Sequence, residues 1–421
     1  MGAMRGFVGG LVIISAAALV ACSGSSKGTA TSAGPSAPEP LPALGVELPA
    51  SKIPWNEVGP GWILATWSPT PGLNGGQTPP AGQPATAPVT LYLLDPAGGR
   101  YAITTFPLSP PLGPGDPGHT PHLVDWSGDG RHALFEDFYF EAAGGNTTVT
   151  AVDLGTGAKQ TFTAGHDSVA YSRPTGQAIL LLNADPSNGN PFKLERVDLS
   201  GTKQLTFPTD PLGAAGKFNN AYLQTPDGAQ LVLGTDNGMV VVGNDGVVAR
   251  QLPMPGPRSS CQPVRWWTST VILAVCETPA PIPPAPVVAS ESQLWQVPVA
   301  GGVPTALTPV NGQDLGYLNA WQLPSGTFLD NVPGCGGDGL LFRLTKDMQT
   351  TKVTVPGVDS GNTVIAIGVT ADKLVLEANT GCGSRANSLL TYDPAANTST
   401  VLLGPPLNGG DVERAILYHT P

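Results

Sequence analysis

Charge is scarce in this chain. Only 12% of its 421 residues are Asp, Glu, Lys or Arg, and 31 acids against 20 bases leave a formal net charge of −11. The bases are scattered, with no Lys/Arg cluster. That excludes a nucleic-acid surface and an electrostatic seat on anionic lipid. The one G-x-S-x-G match, Gly24–Gly28, falls in a Ser/Gly-rich stretch with no apolar strand before it, so no nucleophile elbow is present and the commonest hydrolase nucleophile has no place. No C-x2-C pair is present, so the usual spacing of a structural zinc site is missing. Beyond residue 22 no apolar run is long enough to span a bilayer. What is plentiful is glycine (54) and proline (45), beside 41% hydrophobic residues. The apolar runs are short and bounded by turn residues, which is the pattern of an all-β protein rather than of disorder.

One stretch organises the rest. Pro121 to Asp137, PHLVDWSGDGRHALFED, reads as strand, tight turn, strand, with glycine where a positive φ is needed. The pattern recurs at Ser168–Leu182, Asn220–Gly234, Val264–Cys276, Asn319–Asp330 and Ile365–Glu377. Its turn positions Gly130, Gly176, Gly228, Ser269, Gly326 and Asp372 are 46, 52, 41, 57 and 46 residues apart by subtraction. A period in that range, with four short strands in each repeat, predicts a β-propeller. Seven four-stranded blades are expected over residues 51–421; an irregular first blade leaves six or eight open. Asp411–Tyr418 reads as a strand that closes the ring against the first blade. Either it or Ile53–Val58 takes the inner position there.

The first 22 residues hold one early positive charge, Arg5, then an apolar run from Phe7 to Val20, then Leu19-Val20-Ala21-Cys22. This resembles the lipobox of bacterial lipoproteins. The resemblance implies a signal peptide over 1–21 and a lipid on Cys22, with the protein held on the outer side of the bacterial cytoplasmic membrane. The remainder of 22–50 is Ser/Gly-rich, then Pro/Ala-rich, and reads as a tether.

The repeated body resembles the TolB-type propeller repeat. The matching pieces are Trp126-Ser127-Gly128-Asp129-Gly130, Thr225-Pro226-Asp227-Gly228 and the strand endings Gln204-Leu205-Thr206 and Ala306-Leu307-Thr308. The small α/β domain that precedes the propeller in TolB has no room here, nor does the hydrolase domain of prolyl peptidases. The resemblance therefore bears on fold more than on function.

Several residue groups carry possible chemistry. Asp125, Ser127, Asp129 and Glu136 fit calcium-loop spacing, but strands flank them where helices are needed. Asp116, His119, His122 and Asp125 crowd one loop and could hold a transition metal. Asp330, Asp338 and Glu377 lie near strand ends, where a glycosidase-like pair could form. Trp126, Tyr171, Tyr222, Trp266, Trp267 and Trp321 recur at one place in the repeat, which favours packing between blades over a sugar platform. No group fixes a metal, a cofactor or a catalytic set.

Four cysteines remain after Cys22, an even number in an exported protein. Cys261 and Cys276 bracket a predicted hairpin. Cys335 and Cys382 follow the second strand of consecutive blades. Two disulfides are expected, Cys261–Cys276 and Cys335–Cys382. The expected role is that of a monomeric binding or scaffolding module for an envelope protein, peptide or cell-wall glycan. The competing class is a carbohydrate hydrolase or lyase with its site at the tunnel mouth. Long loops joining strands two to three, and each blade to the next, are expected on one face, which is the face expected to meet a partner.

Overall fold

Consecutive side chains of a strand leave on opposite faces of its sheet. In His132–Asp137, Ala133, Leu134 and Phe135 are all fully buried, and so are Ile63, Leu64 and Ala65 in Ile63–Ser68. Strands buried on both sides need a covering layer on each face of their sheet. The chain meets that need by repeating one sheet around an axis. The structure, a computed structural model, describes residues 43–70, 87–109, 119–137, 147–165, 168–183, 192–254, 259–279, 290–310, 316–331, 340–358, 363–379 and 387–418.

The chain opens with β1 (Glu47–Pro49), β2 (Ile63–Ser68), β3 (Val89–Leu94) and β4 (Arg100–Phe106). The second meander is β5 (His122–Trp126), β6 (His132–Asp137), β7 (Thr147–Asp153) and β8 (Lys159–Ala164). The third is β9 (Ser168–Tyr171), β10 (Ala178–Asn183), β11 (Lys193–Asp198) and β12 (Lys203–Thr206). The fourth is β13 (Phe218–Gln224), β14 (Gln230–Thr235), β15 (Gly238–Gly243) and β16 (Val248–Gln251). The fifth is β17 (Ser260–Trp266), β18 (Val271–Pro279), β19 (Ser290–Pro298) and β20 (Thr305–Ala306). The sixth is β21 (Tyr317–Leu323), β22 (Gly326–Asn331), β23 (Leu341–Leu344) and β24 (Thr350–Lys352). The seventh is β25 (Thr363–Thr370), β26 (Lys373–Asn379), β27 (Ser388–Asp393) and β28 (Thr398–Leu403), and β29 (Asp411–Leu417) follows it. Within each meander neighbouring strands pair antiparallel. The fourth and fifth are also joined edge to edge, at Thr235–Cys261 and Gly238–Ser260.

β29 completes the first sheet. It pairs antiparallel with β2, Ile63 opposite Leu417 and Ser68 opposite Asp411. The inner position left open between two segments thus belongs to Asp411–Leu417. Ile53–Val58 forms no strand; Ile53 and Trp55 instead pack against the core between the first two sheets. At the outer edge β1 runs parallel to β4, Glu47 opposite Arg100. It lies within the stretch read as tether. Pro49 is tolerated because an edge strand needs no donor on its outer side.

The core is a set of clusters, one between each pair of neighbouring sheets. Leu64, Leu93 and Tyr101 meet Trp126 and Phe135. Leu134 and Val149 meet Tyr171 and Ile179, and Leu180 and Leu194 meet Phe218 and Leu233. Val232 and Val241 meet Ile272 and Val297, and Leu273 and Leu294 meet Ala320 and Leu329. Phe328 and Leu341 meet Leu374 and Leu376, and Val375 and Leu389 meet Ile63 and Ala415. The last cluster brings the seventh sheet onto the first. The turn glycines behave as their spacing implies, with φ of +71° at Gly130, +78° at Gly176 and +68° at Gly228.

Cys261 and Cys276 lie opposite each other on β17 and β18, with Cα atoms 4.1 Å apart, and are joined by a disulfide. The bond spans 15 residues, for which loop-closure entropy corresponds to about 3 kcal/mol. Replacing both cysteines with alanine should lower the unfolding free energy by an amount of that order in urea titrations. An unchanged midpoint would contradict it. Cys335 and Cys382 lie outside the described residues.

Candidate functional site at the inner strands

The calcium-like spacing is used by a turn. Ser127 Oγ accepts from the His132 amide (2.9 Å) and donates to Asp129 Oδ1 (2.6 Å), which also accepts from the Arg131 amide (2.9 Å). The fourth sheet repeats this with Thr225 Oγ1 accepting from the Gln230 amide (2.9 Å) and Asp227 from that of Ala229 (3.0 Å). These side chains satisfy backbone donors that the tight turn exposes. Asp125 turns elsewhere, as described below. His119 shares a hydrogen bond with Ser109 (2.8 Å) and lies 2.8 Å from Asp137. Asp116 and Asp338 lie outside the described residues. Among the described residues no three His, Cys, Asp or Glu side chains are grouped to hold a metal.

The inner strands carry most of the remaining chemistry. Their pairing with the second strand slips by one residue between Leu123 and Asp125, Pro263 and Arg265, Tyr317 and Asn319, and Ala366 and Gly368. The inner strand is also the open edge of its sheet, so its outward amides have no ladder partner, and side chains from the neighbouring sheet meet some of them. Asp330 lies close to the Ala366 amide of the next sheet, which favours its charged form, and Glu377 Oε1 accepts from the Ala415 amide (2.7 Å). Asp125 Oδ2 accepts from the Tyr171 amide (2.8 Å), while its Oδ1 accepts from Arg173 Nη2 (2.9 Å).

Similar contacts cross the other junctions. Gln224 takes the Arg173 amide (2.9 Å) and donates to the Tyr171 carbonyl (2.7 Å). Asn219 donates to the Cys261 carbonyl (3.1 Å), and Trp266 Nε1 to that of Gln224 (2.7 Å). Arg265 donates to the Ala320 carbonyl (3.3 Å) and stacks 3.5 Å over the Trp321 ring. The Tyr418 hydroxyl reaches the Gly128 carbonyl (2.8 Å). Every junction therefore has a polar bridge.

The repeated aromatics take part in this packing. Trp126 and Tyr171 are buried in the clusters between sheets, and the Tyr171 hydroxyl donates to the Ala133 carbonyl of the preceding sheet (3.2 Å). Trp321 donates to Asp330 Oδ2 (3.1 Å). The sequence reading missed Arg173, Gln224, Asn219, Arg265 and Arg414. No sequence signal set them apart, since each stands in an inner strand with other polar residues or, for Arg173, just beyond one.

Glu136, Asp330 and Glu377 occupy the same place, fifth in the second strand of their sheets. Burial pushes Glu136 up from 4.5 to about 7, against the attraction of Arg414. Burial likewise pushes Asp330 up from 3.8 to about 7, although Trp321, the Ala366 amide and Arg265 favour its charged form. Glu377 is raised by burial too, with Arg414 pulling the other way. Asp330 and Glu377 sit in adjoining sheets. Arg414 on β29 comes next around the ring, and Glu136 follows it.

No family model matches the chain, and no curated protein matches it. Among solved structures it is similar to the β-propeller domain of the Trilobed protease from Pyrococcus furiosus. That match has 12% identity and a TM-score of 0.45, covering 80% of this chain and 98% of that one. It is also similar to a prolyl endopeptidase, with 12% identity and a TM-score of 0.48. Here 83% of this chain is covered but the match spans only 50% of the other. A putative TolB from Agrobacterium tumefaciens matches with 12% identity and a TM-score of 0.34, covering 60% of this chain and 91% of that one. The ring of four-stranded meanders makes this chain a β-propeller protein.

The raised carboxyls set a pH dependence. Between their unfolded values near 4 and about pH 7 the folded protein holds protons that the unfolded chain has released. Their contribution to stability is therefore complete below about pH 4 and declines as pH rises through 7. Asp330→Asn keeps an acceptor and removes the ionisation. Its stability relative to the parent should rise from about pH 5 to about pH 8 in denaturant titrations. Asp330→Ala should lose about 1 to 3 kcal/mol at either pH, because the Trp321 donor loses its acceptor. Parallel pH profiles for the parent and Asp330→Asn would contradict the assignment.

Proposed function

We propose that the protein is a binding or scaffolding module of the bacterial envelope. In this reading a lipid on Cys22 holds it to the outer side of the cytoplasmic membrane, and one face of the propeller engages a protein, peptide or cell-wall glycan. Each meander counts as one blade, seven in all. The observation that supports the reading is the sorting of connections. Strands alternate in direction, so turns joining strands one to two and three to four belong to one end of the meanders. Connections from two to three, and from four to the next meander, belong to the other.

The first kind is short: two residues, Pro324 and Ser325, lie between β21 and β22, and two, Ala371 and Asp372, between β25 and β26. The second kind is mostly long, the exceptions being two residues between β14 and β15 and three between β8 and β9. By subtraction 20 residues separate β2 from β3, nine separate β6 from β7, and ten separate β18 from β19. Elaborated loops on a rigid scaffold are where binding tends to be built. A hydrolase or lyase acting on carbohydrate is the second reading. It is favoured by Glu136 and Asp330, whose carboxyls stay protonated up to about pH 7 as a general acid requires. Against it, Asp330 Oδ2 and Glu377 Oε1 are already occupied by donors of the scaffold.

One capture experiment tests the proposal. Full-length protein, Cys22→Ser and a form with the connections between β2 and β3 (69–88) and between β18 and β19 (280–289) cut to tight turns are used as bait in solubilised envelope. Cys22→Ser should leave the membrane fraction or stay unprocessed. The shortened form should keep its melting transition and lose the captured partner. Unchanged partitioning of Cys22→Ser would remove the anchor. Capture that survives shortening but fails when the short turns are altered would reverse the faces.

A further inference from the structure

We propose that Arg414 is the centre of a carboxylate-binding subsite on the inner wall of the propeller, with Glu136 and Glu377 on either side. The inference rests on the reading that the elaborated end is the binding face. Arg414 lies on β29 opposite Thr66, fourth of seven residues and so midway along the inner wall, three residues from Asp411, where the connection from the elaborated end arrives.

Three arginines on or beside inner strands differ in how they are used. Arg173 is spent on Asp125 Oδ1 (2.9 Å) and the Trp126 carbonyl (2.8 Å). Arg265 is stacked on Trp321 and bound to the Ala320 carbonyl. Arg414 is solvent-exposed, and among the described residues its guanidinium makes no hydrogen bond or ion pair within 4 Å. Its backbone is fixed all the same. The Arg414 carbonyl accepts from Thr66 Oγ1 (3.4 Å), and the next amide, that of Ala415, is held by Glu377. A guanidinium fork on a rigid strand can bind a planar carboxylate with two parallel hydrogen bonds.

The two flanking acids do not cancel it. Glu136 is buried and Glu377 half-buried, and desolvation disfavours their charged forms despite the attraction of Arg414. Glu377 is committed to the Ala415 amide. On β29 itself Asp411 accepts from the Asn387 amide (2.8 Å). Burial pushes Glu136 up to about 7, so near pH 6 it places little negative charge beside the guanidinium. The site thus presents a cation that suits one oxyanion of planar shape. A peptide C-terminus and an acidic sugar both carry that group.

Full-length protein in detergent is titrated calorimetrically at about pH 6 with N-acetyl-dialanine, its C-terminal amide, glucuronic acid and glucose. At least one acid should bind about tenfold or more tightly than its neutral counterpart, and Arg414→Gln should weaken that acid about tenfold or more. Arg131→Gln, beside Trp55, should not. Preference for the peptide or for the sugar acid identifies the source of the carboxylate. Arg414→Lys keeps the charge without the fork and should fall between the two, which covers the case in which Arg414→Gln unfolds. No binding of either acid, equal binding of acid and neutral probes, or equal binding by Arg414→Gln would overturn the proposal. If shortened loops lose the captured partner while Arg414→Gln keeps it, the subsite falls and the binding face stands.

Discussion

A sheet that is apolar on both faces must be covered twice, and the rest of this molecule follows from that constraint. Ala133 and Phe135 on one side of β6, and Leu134 on the other, each enter a different cluster. No single pair of sheets can satisfy such a strand, so the sheets repeat until the last covers the first. The closing step is Val375 and Leu389 of the seventh meander meeting Ile63 and Ala415. Supplying β29 from the far end of the chain gives the first sheet its inner strand and removes an open edge on β2.

Apolar contact alone does not define the angle between neighbouring sheets. Here the inner strands, as open sheet edges, leave amides that a neighbouring side chain can capture. Asp330 with Ala366 and Glu377 with Ala415 are two instances of one device, since both acids stand fifth in their strand. Asp125 does the same from an inner strand towards Tyr171. A buried hydrogen-bonded acceptor of this kind contributes directional specificity that burial lacks. It also explains why a chain so poor in charge places carboxylates in its interior.

The all-β class, the repeat and the glycine turns were legible because they are local: period-two runs and residues such as Gly130 with a required φ. The disulfide between Cys261 and Cys276 was legible for the same reason, as both flank one hairpin. The closing strand was legible as the last apolar run, but its inner position was not, because β2 and β29 are separated by nearly the whole chain and Ile53–Val58 had a comparable apolar pattern. Edge strand β1 was hidden by its brevity and by Pro49. The acids Asp125, Asp330 and Glu377 were visible as unusual residues, but their partners are backbone amides of another repeat. Sequence assigns such residues to chemistry or to structure only when the register between sheets is known. Arg414 gave no signal at all beyond being a lone cation in a strand.

The central claim is that these carboxylates are structural bridges between repeats. Native-state hydrogen exchange at the Tyr171, Ala366 and Ala415 amides tests it most directly. In the parent all three should be strongly protected. In Glu377→Ala the Ala415 amide should exchange about tenfold or more faster while Tyr171 and Ala366 keep their protection, as expected for loss of one local hydrogen bond. Unchanged exchange at Ala415 would contradict the account.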